Sequence, residues 1–362
     1  MISCEVTGEI RRMKKKICIV LLAGMAVFGM AGCSKDESGK YALIVNNADA
    51  ETKACTEAIW KGMEAYTENM EAGSRRYVSA GTERKDFAKA IDEAVDNGAK
   101  VVVCVGEEME VAVNEAQIDY RNVDFVLVNG EPHKRYSSKT NLKENTVCLY
   151  FNETQQGYLA GYIAVMNGYR NIGCMSGAET ETNLKSAAGF VQGVEDAGQE
   201  LGLAAGDIQL HYTFTGTDKL SPVYMNEALE WYKDGCEMIY AQDTGVRQSV
   251  IEAAKIQSAM VMSNDSGALE ESDRVLTSSI IDYAGAVTAQ LKLIDEDAFV
   301  GEQIINCGVK ESGVTMITED RGLSDNVMAQ YKSVCQKLSE GTLKIEESTE
   351  VPATTIATVV KE

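Results

Sequence analysis

Short apolar runs rich in β-branched residues alternate, in the first part of the chain, with stretches whose apolar residues recur at helical spacing. The apolar runs are YALIVN at 41–46, KVVVCV at 100–105 and VDFVLVN at 123–129. Between the first two runs, Ile59, Met63 and Tyr66 fall on one face of a predicted helix. Continuous apolar strands separated by helices are typical of a parallel sheet covered by helices on both faces.

A second series of the same kind begins near Thr146. Its predicted strands are TVCLYF, NIGCM, IQLHYTF, EMIYA, AMVMS and RVLTS, and its predicted helices cover about 153–167, 182–200, 223–234 and 246–256. Two further helical stretches, 283–295 and 325–338, follow after this series is complete. Because 362 residues suffice for two domains, we predict an α/β protein of two Rossmann-like lobes, each a parallel sheet flanked by helices.

The N-terminus has the features of a secretory signal. Three lysines at 14–16 precede an uncharged, largely apolar run at 17–32, which is shorter than the roughly 20 residues of a membrane-spanning helix. The sequence Met-Ala-Gly-Cys that ends at Cys33 resembles a bacterial lipobox. We expect a signal peptide at 1–32, acyl chains such as palmitate attached through Cys33, and a polar tether at 33–40. An uncleaved signal-anchor helix is the alternative.

The net charge limits the classes of partner that we expect, and the cysteine spacing bears on disulfide bonding. The formal net charge of −21 repels phosphate backbones, so we expect no nucleic-acid partner and contact with a membrane through the lipid anchor alone. Seven cysteines follow Cys33 at irregular spacing, which does not indicate a disulfide framework.

Polar residues follow nearly every predicted strand. Ligands of open α/β sheets bind outside the carboxyl ends of the strands, so these positions are candidates for ligand contacts. The predicted binding residues are Asn46, Asn47, Gly106, Asn129, Asp218, Asp243, Asn264 and Asp265. Amides and carboxylates pair with the hydroxyls and amines of a ligand. Each residue also suits an ordinary turn or helix N-cap, which is the alternative interpretation.

Motifs for catalysis, cofactors and metals are missing. His133 and His211 lie far apart, and the sequence contains no Cys-x-x-Cys, no Gly-x-Gly-x-x-Gly and no phosphate-binding Gly-Lys-Ser/Thr loop. We therefore predict no catalytic residues, no cofactor and no metal site, and a protein that is not an enzyme.

Several short blocks, taken in order, resemble the basic membrane protein family of substrate-binding lipoproteins, whose best-known ligands are purine nucleosides. The main blocks are Gly157-Tyr158-Leu159-Ala160-Gly161, Asn171-Ile172-Gly173, Gly189-Phe190, Gly193 and Val275-Leu276-Thr277-Ser278, with Trp60 and Gly62 in the first lobe. The resemblance implies a type I periplasmic-binding-protein fold, in which two lobes joined by three crossovers close around a ligand. It places the first lobe at 41–148 and about 280–312, the second at 149–279 and about 313–345, and a C-terminal tail at 346–362.

This sequence departs from the family pattern at the positions expected to contact a nucleoside. Cys55 and Asp218 stand where the family has stacking phenylalanines, and Ile281 stands where it has a lysine. Either the ligand is not a nucleoside, or Phe214, Tyr224 or Tyr240 supplies the aromatic platform instead.

The sequence therefore predicts a monomeric, lipid-anchored substrate-binding protein of an ABC-type importer, on the extracytoplasmic face of the cell membrane. It would bind a small polar, hydroxylated, nucleoside-like ligand between its lobes and deliver that ligand to ABC permease subunits. The alternatives are a ligand-sensing signalling or regulatory lipoprotein on the same fold, and a sugar-binding protein.

Overall fold

The computed structural model describes residues 39–46, 50–68, 70, 73–318 and 323–361. The predicted signal peptide, Cys33, most of the tether and Asn47 lie outside these residues. No helix in the described part of the chain is both long and apolar enough to span a membrane.

The first sheet has six strands, all parallel, in the order β11-β5-β4-β3-β1-β2. Its strands are β1 (Tyr41–Val45), β2 (Ser74–Val78), β3 (Val101–Val105), β4 (Asp124–Val128), β5 (Thr146–Phe151) and β11 (Gln303–Cys307). The flanking helices are α1 (Ala50–Thr67), α2 (Arg84–Asp96), α3 (Glu110–Asp119) and α9 (Tyr283–Asp295), with a 3₁₀ turn at Glu107–Met109 before α3. Helices α1 and α9 cover one face, and α2 and α3 cover the other.

The second sheet has seven strands in the order β12-β10-β9-β8-β6-β7-β13, parallel except for β12. Its strands are β6 (Asn171–Ser176), β7 (Ile208–Phe214), β8 (Met238–Ala241), β9 (Met260–Ser263), β10 (Val275–Ile281), β12 (Val314–Met316) and β13 (Ala357–Lys361). Its helices are α4 (Glu153–Met166), α5 (Glu181–Glu200), α6 (Pro222–Lys233), α7 (Thr244–Gln257), α8 (Ala268–Glu271) and α10 (Asp325–Ser339). Helices α4, α5 and α10 cover one face, and α6, α7 and α8 cover the other.

The predicted fold class is confirmed: the protein is α/β, with two predominantly parallel sheets that are each flanked by helices. Both sheets belong to one compact unit. The chain passes from the first sheet to the second after β5, returns after β10, and leaves again after β11. It therefore makes the three crossings expected of a type I periplasmic-binding-protein fold.

Hydrogen bonds join the three crossings to one another. The backbone N–H of Asn152 donates to the carbonyl of Cys307 (3.1 Å), and that of Asp282 donates to the carbonyl of Gly313 (2.9 Å). The side-chain oxygen of Gln155 accepts from the N–H of Val309 (2.8 Å). The crossings thus form a hydrogen-bonded hinge at the base of the cleft between the lobes.

Two segments lie elsewhere than their positions in the sequence suggest. Strand β5, which the pattern puts first in the second series, pairs with β4 and β11 of the first sheet. Residues 357–361, within the expected C-terminal tail, form β13 and extend the second sheet beside β7. An apolar run indicates a buried strand but does not encode which sheet it joins, because its neighbours are set by tertiary packing.

Helices α4 and α5 pack with their backbones in direct contact. A Cβ added at Gly157 would lie 1.7 Å from the carbonyl oxygen of Ser186, and one added at Gly161 would lie 2.1 Å from that of Phe190. On α5, a Cβ at Gly189 would lie 2.0 Å from the Thr154 carbonyl oxygen. No side chain fits at these positions, so the four-residue spacing of the glycines is a steric requirement of the contact.

The C-terminal segment is fastened to α5 by Glu195, which is 7% exposed. Its carboxylate accepts hydrogen bonds from the N–H groups of Thr355 (2.7 Å), Ile356 (3.0 Å) and Ala357 (3.2 Å), and from the Thr355 hydroxyl. Burial raises the pKa of Glu195, but the donors at Thr355, Ile356 and Ala357 together outweigh burial and leave this pKa lowered. The carboxylate therefore positions β13 for pairing.

We predict that Gly161→Ala destabilises the protein by about 3 kcal/mol, because overpacking against a backbone atom exceeds the small gain in helix propensity. The control is Gly73→Ala, where an added Cβ meets no atom within 4 Å. The control should change stability by no more than about 0.5 kcal/mol. Urea unfolding followed by circular dichroism measures both, and equal midpoints for the two variants would contradict the steric explanation.

We predict that Glu195→Gln detaches the C-terminal segment at a cost of about 2 kcal/mol, because the amide cannot satisfy every donor. Hydrogen exchange at residues 355–361 should accelerate at least about tenfold relative to Glu252→Gln, an exposed carboxylate on α7. The pKa of Glu195 is lower in the folded protein than in the unfolded chain. Its contribution to the free energy of unfolding is therefore fully present above the unfolded pKa of about 4.3, and it is lost as the pH falls through the folded pKa. Exchange in the Gln variant should lack this pH dependence, and unchanged exchange at neutral pH would contradict the assignment.

Candidate functional site

A cavity of about 480 Å³ lies between the two lobes, beside the hinge. Its lining residues are Glu107, Asn129, Tyr150, Phe151, Glu153, Glu181, Thr182, Lys185, Ile281, Tyr283 and Asn306. They come from the carboxyl ends of strands in the first sheet, from the first turns of α4, α5 and α9, and from the end of β10. The volume falls in the range of small-molecule sites, about 300–1,000 Å³. We call this space the interlobe cavity.

Another depression, of about 300 Å³, lies on the first lobe near the end of α3 and includes Arg121, Lys143 and Glu302. It borders the segments that lead into β5 and β11, at the opposite edge of the sheet from the carboxyl ends. Ligands of parallel α/β sheets bind at the carboxyl ends, so the interlobe cavity is the better candidate site.

Aromatic rings form one wall of the interlobe cavity. Phe151 at the end of β5 and Tyr283 at the start of α9 meet edge to face, with ring centroids 4.5 Å apart. Tyr150 lines the same cavity and is half-buried, as is Tyr283. Cys55 of α1 packs in the same apolar cluster as Phe151 and Tyr283, and burial raises its pKa to about 12, so it is a buried thiol. The aromatic rings of this wall therefore belong to residues at the hinge. Position 55, where the family resemblance leads us to expect a stacking phenylalanine, holds a buried thiol instead.

The ionisable residues that line the cavity are mostly acidic. Glu107, Glu153 and Glu181 line it, and Lys185 is the lining cation among the described residues. The ammonium of Lys185 pairs with Glu181 at 2.6 Å. Burial raises the pKa of Glu153; its own backbone N–H and Lys185 oppose this, whereas Glu181 and Glu347 add to it.

The predicted binding residues of the first lobe meet at the ends of β1, β3 and β4. Asn46 donates from its side-chain nitrogen to Glu108 (2.7 Å). Gly106 has φ of +105°, and a Cβ there would lie 2.5 Å from the Glu108 carboxylate, so glycine permits this arrangement. Asn129 has φ of +54°, which asparagine tolerates, and it lines the interlobe cavity. Asn47 lies outside the described residues.

Asp243 and Asp218 lie in the loops after β8 and β7. The Asp243 carboxylate accepts from the Gly177 N–H (2.9 Å) and from the Asn183 amide (2.8 Å). Burial raises the pKa of Asp243, and those two hydrogen bonds oppose the rise. Asp218 is exposed, and its carbonyl accepts from the Gly245 N–H (3.0 Å). Asp243 thus fixes the loop after β6, while the carboxylate of Asp218 faces solvent.

Asn264 and Asp265 follow β9. The Asn264 carbonyl accepts a long hydrogen bond from Gln156 (3.5 Å). Asp265 pairs with Arg247 (3.1 Å), whose guanidinium also binds Glu271 (2.7 Å). The Arg247 side chain is 3% exposed, so these carboxylates hold it in place as part of the second lobe. Of the predicted binding residues that the structure describes, Asn129 alone lines the interlobe cavity.

The three aromatic residues considered as an alternative platform lie elsewhere. Tyr240 is fully buried and stacks on Phe190 with ring centroids 5.1 Å apart, which makes it a core residue. Phe214 lines a separate depression that includes Val359 of β13. The Tyr224 hydroxyl donates to the Thr215 carbonyl (2.9 Å). None of the three lines the interlobe cavity.

Sequence reasoning missed several cavity-lining residues, chiefly Tyr150, Glu153, Lys185, Tyr283 and Asn306. One signal for Glu153 was present, since it follows directly on the strand TVCLYF and an N-cap asparagine. The predicted binding residues include none from the end of that strand or of β11. Tyr283 stands in a similar position, after the end of β10 and the N-cap Asp282, although the predicted strand RVLTS ends earlier, at Ser278. Lys185 carries no such signal, because it lies inside α5.

Two kinds of comparison place the fold among known proteins. The family model described as ABC transporter substrate-binding protein PnrA-like matches residues 41–355. An ABC transporter solute-binding protein from Conexibacter woesei superposes with a TM-score of 0.65 at 16% identity, covering 85% of this chain and 98% of the other. A protein from Bacillus halodurans described as a transcriptional activator of the comK gene superposes with a TM-score of 0.65 at 18% identity, covering 84% and 99%.

A third similar structure, an ABC transporter solute-binding protein from Aeropyrum pernix, gives a TM-score of 0.56 at 15% identity, covering 86% of this chain and 94% of the other. At such identities these structures establish the fold alone. No curated protein matches the chain in sequence.

Proposed function

Because the chain belongs to the PnrA-like family of ABC transporter substrate-binding proteins, we propose that it captures a small, polar, ring-bearing ligand in the interlobe cavity and delivers it to ABC permease subunits. The observation that carries this proposal is the cavity of about 480 Å³ at the carboxyl ends of the strands, beside a hinge of three crossings. In such an arrangement, a rotation of the lobes about the hinge buries the ligand.

The aromatic wall supports a ligand with a flat ring. Tyr150, Phe151 and Tyr283 offer ring surface at the hinge side of the cavity, and Asn129 and Asn306 offer amide donors and acceptors for hydroxyl groups. A nucleoside-like molecule has both features. The cavity thereby supplies stacking without the phenylalanines that Cys55 and Asp218 replace.

The N-terminal sequence supports the location. We propose that the lipobox-like sequence at Cys33 leads to lipid attachment, and that the protein acts as a monomer on the extracytoplasmic face of the membrane, held by that lipid. We propose that it binds its ligand without transforming it, because it belongs to a family of ABC transporter substrate-binding proteins.

We predict that Tyr283→Ala weakens ligand binding at least about tenfold, because loss of one stacking contact removes roughly 1–3 kcal/mol. The test is a thermal-shift screen of the full-length chain in detergent with nucleosides, aromatic amines and sugars. A true ligand at 100 times its dissociation constant should stabilise the fold by about 2.7 kcal/mol.

The matched control is Tyr120→Ala, at the end of α3 and away from the cavity, which should bind like the unaltered protein. Tyr283→Phe, which keeps the ring, should retain most of the affinity. Stabilisation by sugars alone, or equal affinity in Tyr283→Ala and the control, would contradict the aromatic wall as the binding surface. Conversion of the ligand during incubation would contradict the transport function.

A further inference from the structure

The charges around the interlobe cavity are unequal. Six carboxylates either line the cavity or act electrostatically on residues that line it. Among the described residues that line the cavity, Lys185 is the one cation. The six are Glu107, Glu110, Glu131, Glu153, Glu181 and Glu347. Burial raises the pKa of Tyr150 on the cavity wall to about 12, and the nearby Glu131, Glu110, Cys148 and Glu107 add to this rise.

Several of these carboxylates already have partners. Glu181 pairs with Lys185 (2.6 Å), and Glu110 accepts from His133 (2.9 Å) and from the N–H of Glu131 (2.8 Å). The Glu347 carboxylate accepts from the amides of Asn152 and Asn306, at 2.9 Å each. Lys185 therefore pairs directly with Glu181, and it acts on Glu153 only through space.

Glu107 and Glu153 differ from the other four because no side chain among the described residues donates a hydrogen bond to either of them or pairs with it. Glu107 is exposed, so Glu153 is the one of the two that is partly removed from water. It is half-buried, it lines the cavity, and it occupies the first turn of α4. A carboxylate in this position has lost part of its hydration without gaining a side-chain donor in return. A positively charged group in the cavity would supply the missing partner.

The helix N-termini beside the cavity carry partial positive charge, which opposes the negative charge of the carboxylates. The first turns of α4, α5 and α9 border the cavity, and each N-terminus contributes about half a positive charge. Glu153 and Glu181 lie in two of these turns and compensate them locally. Together the dipoles offset only part of the surrounding negative charge, so the cavity remains acidic.

Resting on the proposed function, we infer that the ligand of the interlobe cavity is an organic cation: a small, ring-bearing molecule whose ammonium or protonated heterocycle lies between the Glu153 carboxylate and the faces of Tyr150 and Tyr283. Tyrosine faces attract cations through the ring quadrupole, so the aromatic wall and the carboxylate favour the same ligand class. A neutral ligand would leave Glu153 without a side-chain or ligand partner in a closed cleft, and an anion would be repelled.

The test compares pairs of ligands that differ in charge and hardly at all in shape. One pair consists of adenosine methylated on its ring nitrogen next to the amine, which is a cation at neutral pH, and the neutral isomer methylated on the exocyclic amine. The second pair is tyramine and its neutral alcohol counterpart, tyrosol. Calorimetric titration of the full-length chain in detergent gives the affinity for each compound.

We expect the cation of at least one pair to bind at least about tenfold more tightly than its neutral partner, as one desolvated ion contact at short range allows. Glu153→Gln should remove most of that preference, because the variant loses the charge and keeps the size of the side chain. Glu302→Gln, an exposed carboxylate near the other depression, is the matched control and should keep the preference.

The outcomes separate this inference from the proposed function. If neutral members bind as tightly as the cations, or if Glu153→Gln keeps the preference, the inference is wrong while ligand capture stands. If no compound of either charge binds here and none of the screened nucleosides, amines or sugars stabilises the protein, both are wrong. A charge preference that Glu153→Gln abolishes supports both.

Discussion

The structure depends on the three places where the chain passes between the sheets, all of them at the carboxyl ends of parallel strands. The backbones of Asn152 and Asp282 donate to carbonyls of the third crossing, and Gln155 accepts from it. The first two crossings run from the carboxyl end of a strand into the N-terminus of a helix, from β5 into α4 and from β10 into α9. Strand ends and helix N-termini therefore lie together at the hinge. The fold thereby places polar and aromatic side chains around a cavity between the two lobes.

Close backbone packing and a buried carboxylate stabilise the second lobe beside the hinge. In the second lobe, α4 and α5 approach so closely that Gly157, Gly161 and Gly189 leave no room for a side chain, and Glu195 fastens the last strand to α5. The glycines that carry the resemblance to the family are therefore explained by backbone contact. These glycines secure the lobe, and the identity of the ligand depends on other residues.

The periodicity of the sequence predicts the α/β class, most helices and the division into two series, because apolar strands and amphipathic helices are local patterns. It does not predict that β5 joins the first sheet or that residues 357–361 form a strand, since strand partners are chosen by tertiary packing. The strand-end argument leads to Asn129 but not to Lys185, which reaches the cavity from within α5. Asp265 also follows a strand, but its carboxylate pairs with Arg247 and does not line the cavity.

We propose that the acidic, ring-lined cavity captures a small molecule for an ABC permease. The most direct test of this proposal is a crystal structure of the full-length chain with the ligand that it retains when purified from its native host. We predict a single unchanged molecule between the lobes, with a ring against Tyr150 or Tyr283 and a positively charged group within hydrogen-bonding distance of Glu153. A molecule bound on one lobe alone, such as in the depression beside Glu302, or an anionic molecule between the lobes, would contradict the account.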